Sequence, residues 1–430
     1  MKVPAMSHLL VIDLPGGNDT DILQAALNRG DTYVFVTSDI KLYVSQACVR
    51  PYLEQALELI EIKDFDYRAL ELAVLESHQR KPIDALLCLI EIRLLEASRL
   101  AKALGVGYVN LESAILLRDK YLVREQLANK GIVQPEFSLA TTTQEIKDAV
   151  ARLGLPVLIK PADGYGSQNV VVLQTPEDLD PLVTPVEIML PSQAHYGLGV
   201  MANDRLLVER YMTGSFIGVD TLTLRGQHRF LGVNIKKMFP PPSFAIEGGC
   251  FRPRVQEHAQ LEKYVFSMLD AVGFDCGATH IELMLTQDGP RLIEINPRLV
   301  GAKIARLVGF ALNRSIHSDL IDVHLGRWPQ GLNDTQDHQV AVSRWFTSPI
   351  AGTVQSISPP NWEDPNVKCV EIFKQVGDPV IPAFENSARI GYVMTCGKTE
   401  SEAQTLALKY IEDTDILITT GASIDGKKAY

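Results

Sequence analysis

Glu282, Glu294, Asn296 and Arg298 are the residues in this chain whose types and spacing most readily do chemistry. Glu294 and Asn296 stand two apart in Gly289-Pro-Arg-Leu-Ile-Glu-Ile-Asn-Pro-Arg298, so on a strand they share one face. Upstream, His280-Ile-Glu-Leu-Met-Leu-Thr-Gln-Asp-Gly289 reads as the partner strand of a hairpin and supplies Glu282. The turn decides whether the acids meet. A two-residue Asp288-Gly289 loop pairs Glu282 with Ile295, whereas a three-residue Gln287-Asp288-Gly289 loop pairs it with Glu294, Gly289 supplying the left-handed residue. In the second register two carboxylates and an amide form an oxygen-rich cradle suited to Mg2+ bridging nucleotide phosphates. His280 falls on the face of Glu282, where a packed or supporting role fits it better than a ligand role.

The elements that must position these residues follow from patterning. Apolar runs at 9–14, 32–37 and 85–90, a short Tyr108-Val-Asn110, and intervening helices at about 19–29, 67–79 and up to 104 predict an open parallel α/β sheet. Gly16 and Gly17 read as a tight strand-to-helix turn, because no full G-x-G-x-x-G follows. A helix over 114–130, capped by Ser113 and stopped at Gly131, carries Lys120 and a solvent-facing Arg124. The run 155–173 reads as strand, glycine-containing loop, strand. It lacks Gly-Lys-Ser/Thr and a following helix, so it is a hairpin flap and not a Walker loop. Backbone N–H groups of Gly164, Tyr165, Gly166 and Ser167 can approach phosphate oxygens there, with Lys160 at the end of the first strand.

Composition narrows the classes. The chain has 430 residues, 46% hydrophobic and 22% charged, enough for two to four buried cores. A formal net charge of −11 argues against nonspecific nucleic-acid or anionic-membrane binding. No apolar run approaches a membrane span and the start lacks a signal-peptide core, so a cytoplasmic location is expected. The six cysteines show no C-x-x-C, which favours reduced thiols over structural zinc.

Taken in order, the Lys120 segment, the Lys160 flap, Leu206-Leu-Val-Glu-Arg-Tyr-Met212 and the acidic hairpin resemble the ATP-grasp ligases, and nearly the whole chain resembles their L-amino acid ligase type. The resemblance implies four regions: an N-terminal α/β domain (1–112), an ATP-grasp N-terminal lobe (113–205), a C-terminal lobe (206–330) and a small α+β module (331–430). It implies that Lys120, Lys160, Gly164, Gly166 and Ser167 meet the phosphates. Glu209 would accept from the adenine amine, and the backbone of Tyr211 and Met212 would pair the ring edge. Glu282, Glu294 and Asn296 would hold Mg2+ or Mn2+. Phe216 stands where many members carry a ribose-binding glutamate. The stretch 234–254, with its three prolines, resembles the loop that shapes an amino-acid pocket, which assigns Glu247, Gly248, Gly249, Arg298 and Gly301 to the substrate. Cys250 replaces the usual histidine of that loop. Val340–Val354, Ala388–Gly397 and a Thr399-capped helix to Ile411 resemble the C-terminal module of these ligases.

The implied activity is ATP-dependent joining of a carboxylate to an amine through an acyl phosphate, with Arg298 gripping the reacting oxygens. Small-molecule substrates and a homodimer are the implied partners. The alternatives are carboxylation of a biotin-like acceptor and an ATP-binding regulator without turnover.

Overall fold

A computed structural model describes residues 6–164, 169–179, 192–193, 200–201, 204–238, 246–301, 303–382, 388–420 and 423–428. The first strand, His8–Ile12, is apolar at nearly every position because both its faces are covered. Leu9 and Val11 enter one core, and Leu10 and Ile12 enter the other. Around it runs a parallel sheet in the order Glu58–Glu61, Thr32–Thr37, His8–Ile12, Ala85–Cys88. Pro15–Gly17 makes the expected tight turn, with Gly16 at φ 63° and Gly17 at φ 70°. Tyr108–Asn110 is not a strand. Asn110 instead caps the helix Leu111–Arg118 by accepting from the Ser113 amide.

The single helix expected over 114–130 is two, Leu111–Arg118 and Lys120–Asn129. Asp119 takes an extended conformation between them, and its carboxylate accepts from the amides of Tyr121 and Leu122. A short acid that caps better than it continues a helix explains the break. Lys120 therefore opens a helix instead of lying within one, and its amide bonds the carbonyl of Ala162.

Of the antiparallel sheets that follow, two position the acids and lysines. The smaller runs Phe137–Ala140, Leu206–Arg210, Val157–Pro161, Val171–Leu173. The helix Thr143–Leu153, opened by a Thr142–Glu145 capping box, packs Ile146, Ala149, Val150 and Leu153 against it. Leu206–Arg210 sits inside this sheet, so the first lobe extends past residue 205.

The larger sheet has eight strands, in the order Gly289–Asn296, Cys276–Thr286, Ser215–Leu224, Gln227–Met238, Ile246–Pro253, Val340–Phe346, Gly391–Gly397, Val367–Ile372. Strands from beyond residue 330 thus continue the sheet that carries the acids. On its covered face Ile281, Leu283, Leu292 and Ile295 share a core with Val265, Met268 and Leu269 of the helix Ala259–Ala271. The N-terminal domain is tied on by ion pairs of Arg306 with Asp21 and of Arg29 with Asp322, the latter at 2.9 Å. No helix among the described residues is long and apolar enough to cross a membrane.

Candidate functional site

Glu282 does pair with Glu294, but by neither of the loops that the sequence suggested. Thr286 pairs with Gly289, so the turn holds only Gln287 and Asp288. Gly289 has the expected positive φ of 100°, yet it belongs to the strand. From that turn a regular ladder would set Glu282 against Ile293. The register instead shifts between Leu283, which pairs with Leu292, and Glu282, which pairs with Glu294. Ile293 is the extra residue of a β-bulge, and the one-residue slip brings the second acid onto the first acid's face.

Each acid has its own lysine. The Glu294 carboxylate lies 2.8 Å from Lys120 Nζ, which also donates to the Gly164 carbonyl. The Glu282 carboxylate lies 3.1 Å from Lys236 Nζ, which sits 4.5 Å from the centre of the Phe216 ring. Burial alone would raise the Glu282 carboxyl, but His280 and Lys236 outweigh it and bring it down to about 2. The acid stays ionised. His280 Nδ1 is 2.9 Å from Asp220, whose other oxygen accepts from Asn234. Burial opposes the imidazolium, yet Asp220 and Glu282 raise His280 to about 9. Asn296 is buried beside them and donates to the His280 carbonyl at 3.1 Å.

Lys120, Lys160, Gly164, Phe216, Glu282 and Glu294 line a cavity of about 190 Å3. That is room for phosphate groups and a cation, and less than the roughly 300–1,000 Å3 of a pocket that encloses a whole ligand. Two carboxylates on one face with an amide on the same strand form a hard-oxygen donor set, and two ammonium groups already sit where a cation's charge would be felt. The residues present fit Mg2+.

Behind the cavity lies a second set of charges. Glu209 is buried, with one oxygen 2.5 Å from Arg124 Nε and the other 2.7 Å from Lys160 Nζ. Despite burial, the two cations hold its carboxyl below the usual range. Each Glu209 oxygen already accepts from a cation and the residue is 3% exposed, so any adenine amine would have to share it with Arg124 and Lys160. The Tyr211 amide donates to the Pro156 carbonyl at 3.0 Å, so of its backbone groups the carbonyl is the one left for the ring edge. The expectation of a solvent-facing Arg124 is overturned. It is 1% exposed, and its Nη2 reaches the carbonyls of Leu292 and Ile293 at 2.9 and 3.0 Å.

Arg298 leaves the strand and pairs with Glu91 of the N-terminal domain, while its Nη1 donates to the Leu299 carbonyl at 2.9 Å. Glu91 was not singled out in the sequence. Its place just beyond the carboxyl end of Ala85–Cys88, where open α/β sheets bind ligands, was the available signal. Gly301 lies close by, its missing side chain directed at Arg298 Nη1 3.9 Å away. Glu247 pairs with Lys237 at 2.9 Å. Gly248 and Gly249 are strand residues and not loop residues. A Cβ at Gly248 would stand 2.2 Å from the Ser343 carbonyl and 2.6 Å from Arg344 Nη1, so its glycine serves strand packing. Burial pushes the Cys250 thiol up to about 12, which leaves it inert as a nucleophile. Tyr165, Gly166 and Ser167 of the flap lie outside the described residues.

Residues 153–306 match the ATP-grasp domain, and residues 344–418 match the L-amino acid ligase C-terminal domain 2. Residues 153–306 are thus an ATP-grasp domain within the chain. It is 24% identical over 378 residues to the L-arginine-specific L-amino acid ligase of Bacillus subtilis, covering 84% of this chain and 87% of that protein. It is 28% identical over 273 residues to dapdiamide A synthase of Enterobacter agglomerans, covering 61% of this chain and 62% of that protein. The fold is similar to the crystal structure of L-amino acid ligase from Bacillus licheniformis, with a TM-score of 0.74 at 19% identity over 96% of this chain and 99% of that one. In this ATP-grasp fold the acidic hairpin closes the larger sheet, and Lys120 and Lys160 reach it from the smaller lobe.

Proposed function

We propose that this protein is an ATP-dependent carboxylate–amine ligase that forms an amide or dipeptide bond between an amino acid, or similar carboxylate, and an amine. The observation that carries the reading is the cross-strand pair Glu282–Glu294, both lining one cavity and each matched by a lysine. Both ion pairs are partly open to solvent, with side-chain exposures of 14–31%, so ligands can exchange into them.

A carboxylate is a poor electrophile and must be activated. Its oxygen attacks the γ-phosphorus of ATP, the bond to the bridging oxygen breaks, and ADP leaves. The amine nitrogen then attacks the acyl carbon, the C–O bond to phosphate breaks, and the amine gives up a proton. Such transfers need positioning and charge neutralisation more than a protein nucleophile. Lys120 turns from Glu294 to the phosphates, with Lys160 behind it. Mg2+ held by Glu282, Glu294 and Asn296 would supply charge neutralisation at the phosphate oxygens. Arg298 exchanges Glu91 for the substrate carboxylate, which its planar guanidinium can grip with two parallel hydrogen bonds. Glu247 and Gly301 bound the substrate side of the site.

The test is a pairwise screen of amino acids with ATP and Mg2+, reading ADP, phosphate and product mass. Release of all three products with at least one pair is expected. No release with any pair would favour an ATP-binding regulator instead.

A further inference from the structure

The acids meet only because Ile293 is bulged out of the ladder, and the bulge has a specific support. A one-residue bulge leaves its extra residue unpaired and disrupts the ladder locally, and buried carbonyls there need other donors. The carbonyls of Leu292 and Ile293, at the register shift, accept from Arg124 Nη2, and that of Ile293 also accepts from Lys160 at 3.2 Å. Arg124 is anchored in turn by Glu209. It lies four residues after Lys120 on the helix Lys120–Asn129, so the two side chains project from one helix face towards one strand. Lys120 meets the acid, and Arg124 meets the backbone that aims it.

Without the bulge, the turn Gln287–Asp288 would set Glu282 against Ile293 and Glu294 against Ile281. Ile281 belongs to the fully buried core face, so Glu294 would point away from the cavity. A guanidinium suits this task because one planar group can reach two neighbouring carbonyls and an acid together. Lysine, with a single nitrogen, cannot span all three.

We propose that Arg124 is a positioning residue for the cation site, holding the Ile293 bulge that carries Glu294 into register with Glu282. The inference rests on the reading of these two acids as cation ligands. It assigns Arg124 no contact with substrate.

The experiment measures Mn2+ binding in the presence of ADP, from the loss of the free-ion paramagnetic resonance signal, so it does not depend on turnover. The wild type binds. Arg124→Met weakens Mn2+ binding about 10- to 100-fold, as loss of a partner behind a metal ligand does. Removing Ile293 from the Arg124→Met chain takes away the bulge and pairs Glu282 with Glu294 in a regular ladder, so affinity returns. A folded Arg124→Met protein that binds Mn2+ like the wild type overturns the inference. So does weakened binding that removal of Ile293 fails to restore, which would place the effect in the lost partner of Glu209. If Arg124→Met alone does not fold, the Ile293-deleted form decides. Folding with Mn2+ binding supports the proposal, and failure of either overturns it. A wild type that does not bind Mn2+ refutes the cation reading itself, whereas equal binding by wild type and Arg124→Met refutes only the role of Arg124.

Discussion

Two clusters of lysine, arginine and glutamate face the same hairpin, and they differ chiefly in burial. In the outer cluster Glu294 pairs with Lys120 and Glu282 with Lys236, with side chains 14–31% exposed. In the inner cluster Glu209 pairs with Lys160 and Arg124, all at 8% exposure or less. The chemistry of the side chains is the same, yet their roles separate. An exposed pair gains about 0–1 kcal/mol and gives way to an incoming ligand, whereas a buried pair cannot lose one member without stranding the other's charge. The outer acids and lysines are thus free to exchange partners with a cation and phosphates. The inner ones hold strands.

The sharpest way to separate the clusters is to remove one acid from each. Glu294→Gln should lower ADP release about 10^3-fold in a coupled assay. Its unfolding free energy should stay within about 0.5 kcal/mol of the wild type. Glu209→Gln should behave in the opposite sense, losing about 3–5 kcal/mol in denaturant unfolding because Arg124 and Lys160 are left unpaired in the interior. A stable Glu209→Gln protein would erase the distinction between the two clusters. Arg298→Ala removes a cation that pairs with Glu91 across domains, and should cost about 10^2-fold in kcat with the fold retained. Undiminished kcat would remove Arg298 from the reaction.

A further contrast concerns two histidines whose burial favours the neutral ring. His324 is stacked on Tyr108 with Nδ1 3.1 Å from the Gly107 carbonyl, and burial lowers its pKa to about 4. His317, also lowered to about 4 by burial, sits near the balanced charges of Asp21 and Arg306. For a histidine whose folded pKa lies below its unfolded value near 6.5, the unfolded state binds the proton first. Stability is therefore complete above that value and falls as pH drops towards 4, by up to about 1.4 kcal/mol per pH unit for each residue. Denaturant titrations across this window should show the fall, with a shallower slope in His324→Gln. A flat profile would contradict the neutral burial of both rings.

Much of the arrangement was legible in the sequence because it depends on patterns of short range. Leu9–Ile12 announced a buried parallel strand, and Thr399 with Glu402 announced the start of Glu400–Glu412. The partnership of Glu282 with Glu294 was one of the two registers that the turn residues allowed. The route to it was not legible, because a bulge is set by long-range donors such as Arg124 and not by the turn residues alone. Arg124 was misjudged for the same reason, since an arginine on a helix is exposed by default and only tertiary acceptors bury it. Likewise Gly248 suggested a loop, while its cause was the approach of Ser343 and Arg344 from a strand almost a hundred residues away.

On the proposed function, Glu282 and Glu294 form a cation-dependent phosphate site. Calorimetric titration of a non-hydrolysable ATP analogue, with and without Mg2+, tests it most directly in the wild type and in Glu282→Gln/Glu294→Gln. Mg2+ should tighten binding in the wild type and have no effect in the double variant. Equal Mg2+ dependence in both proteins would contradict it.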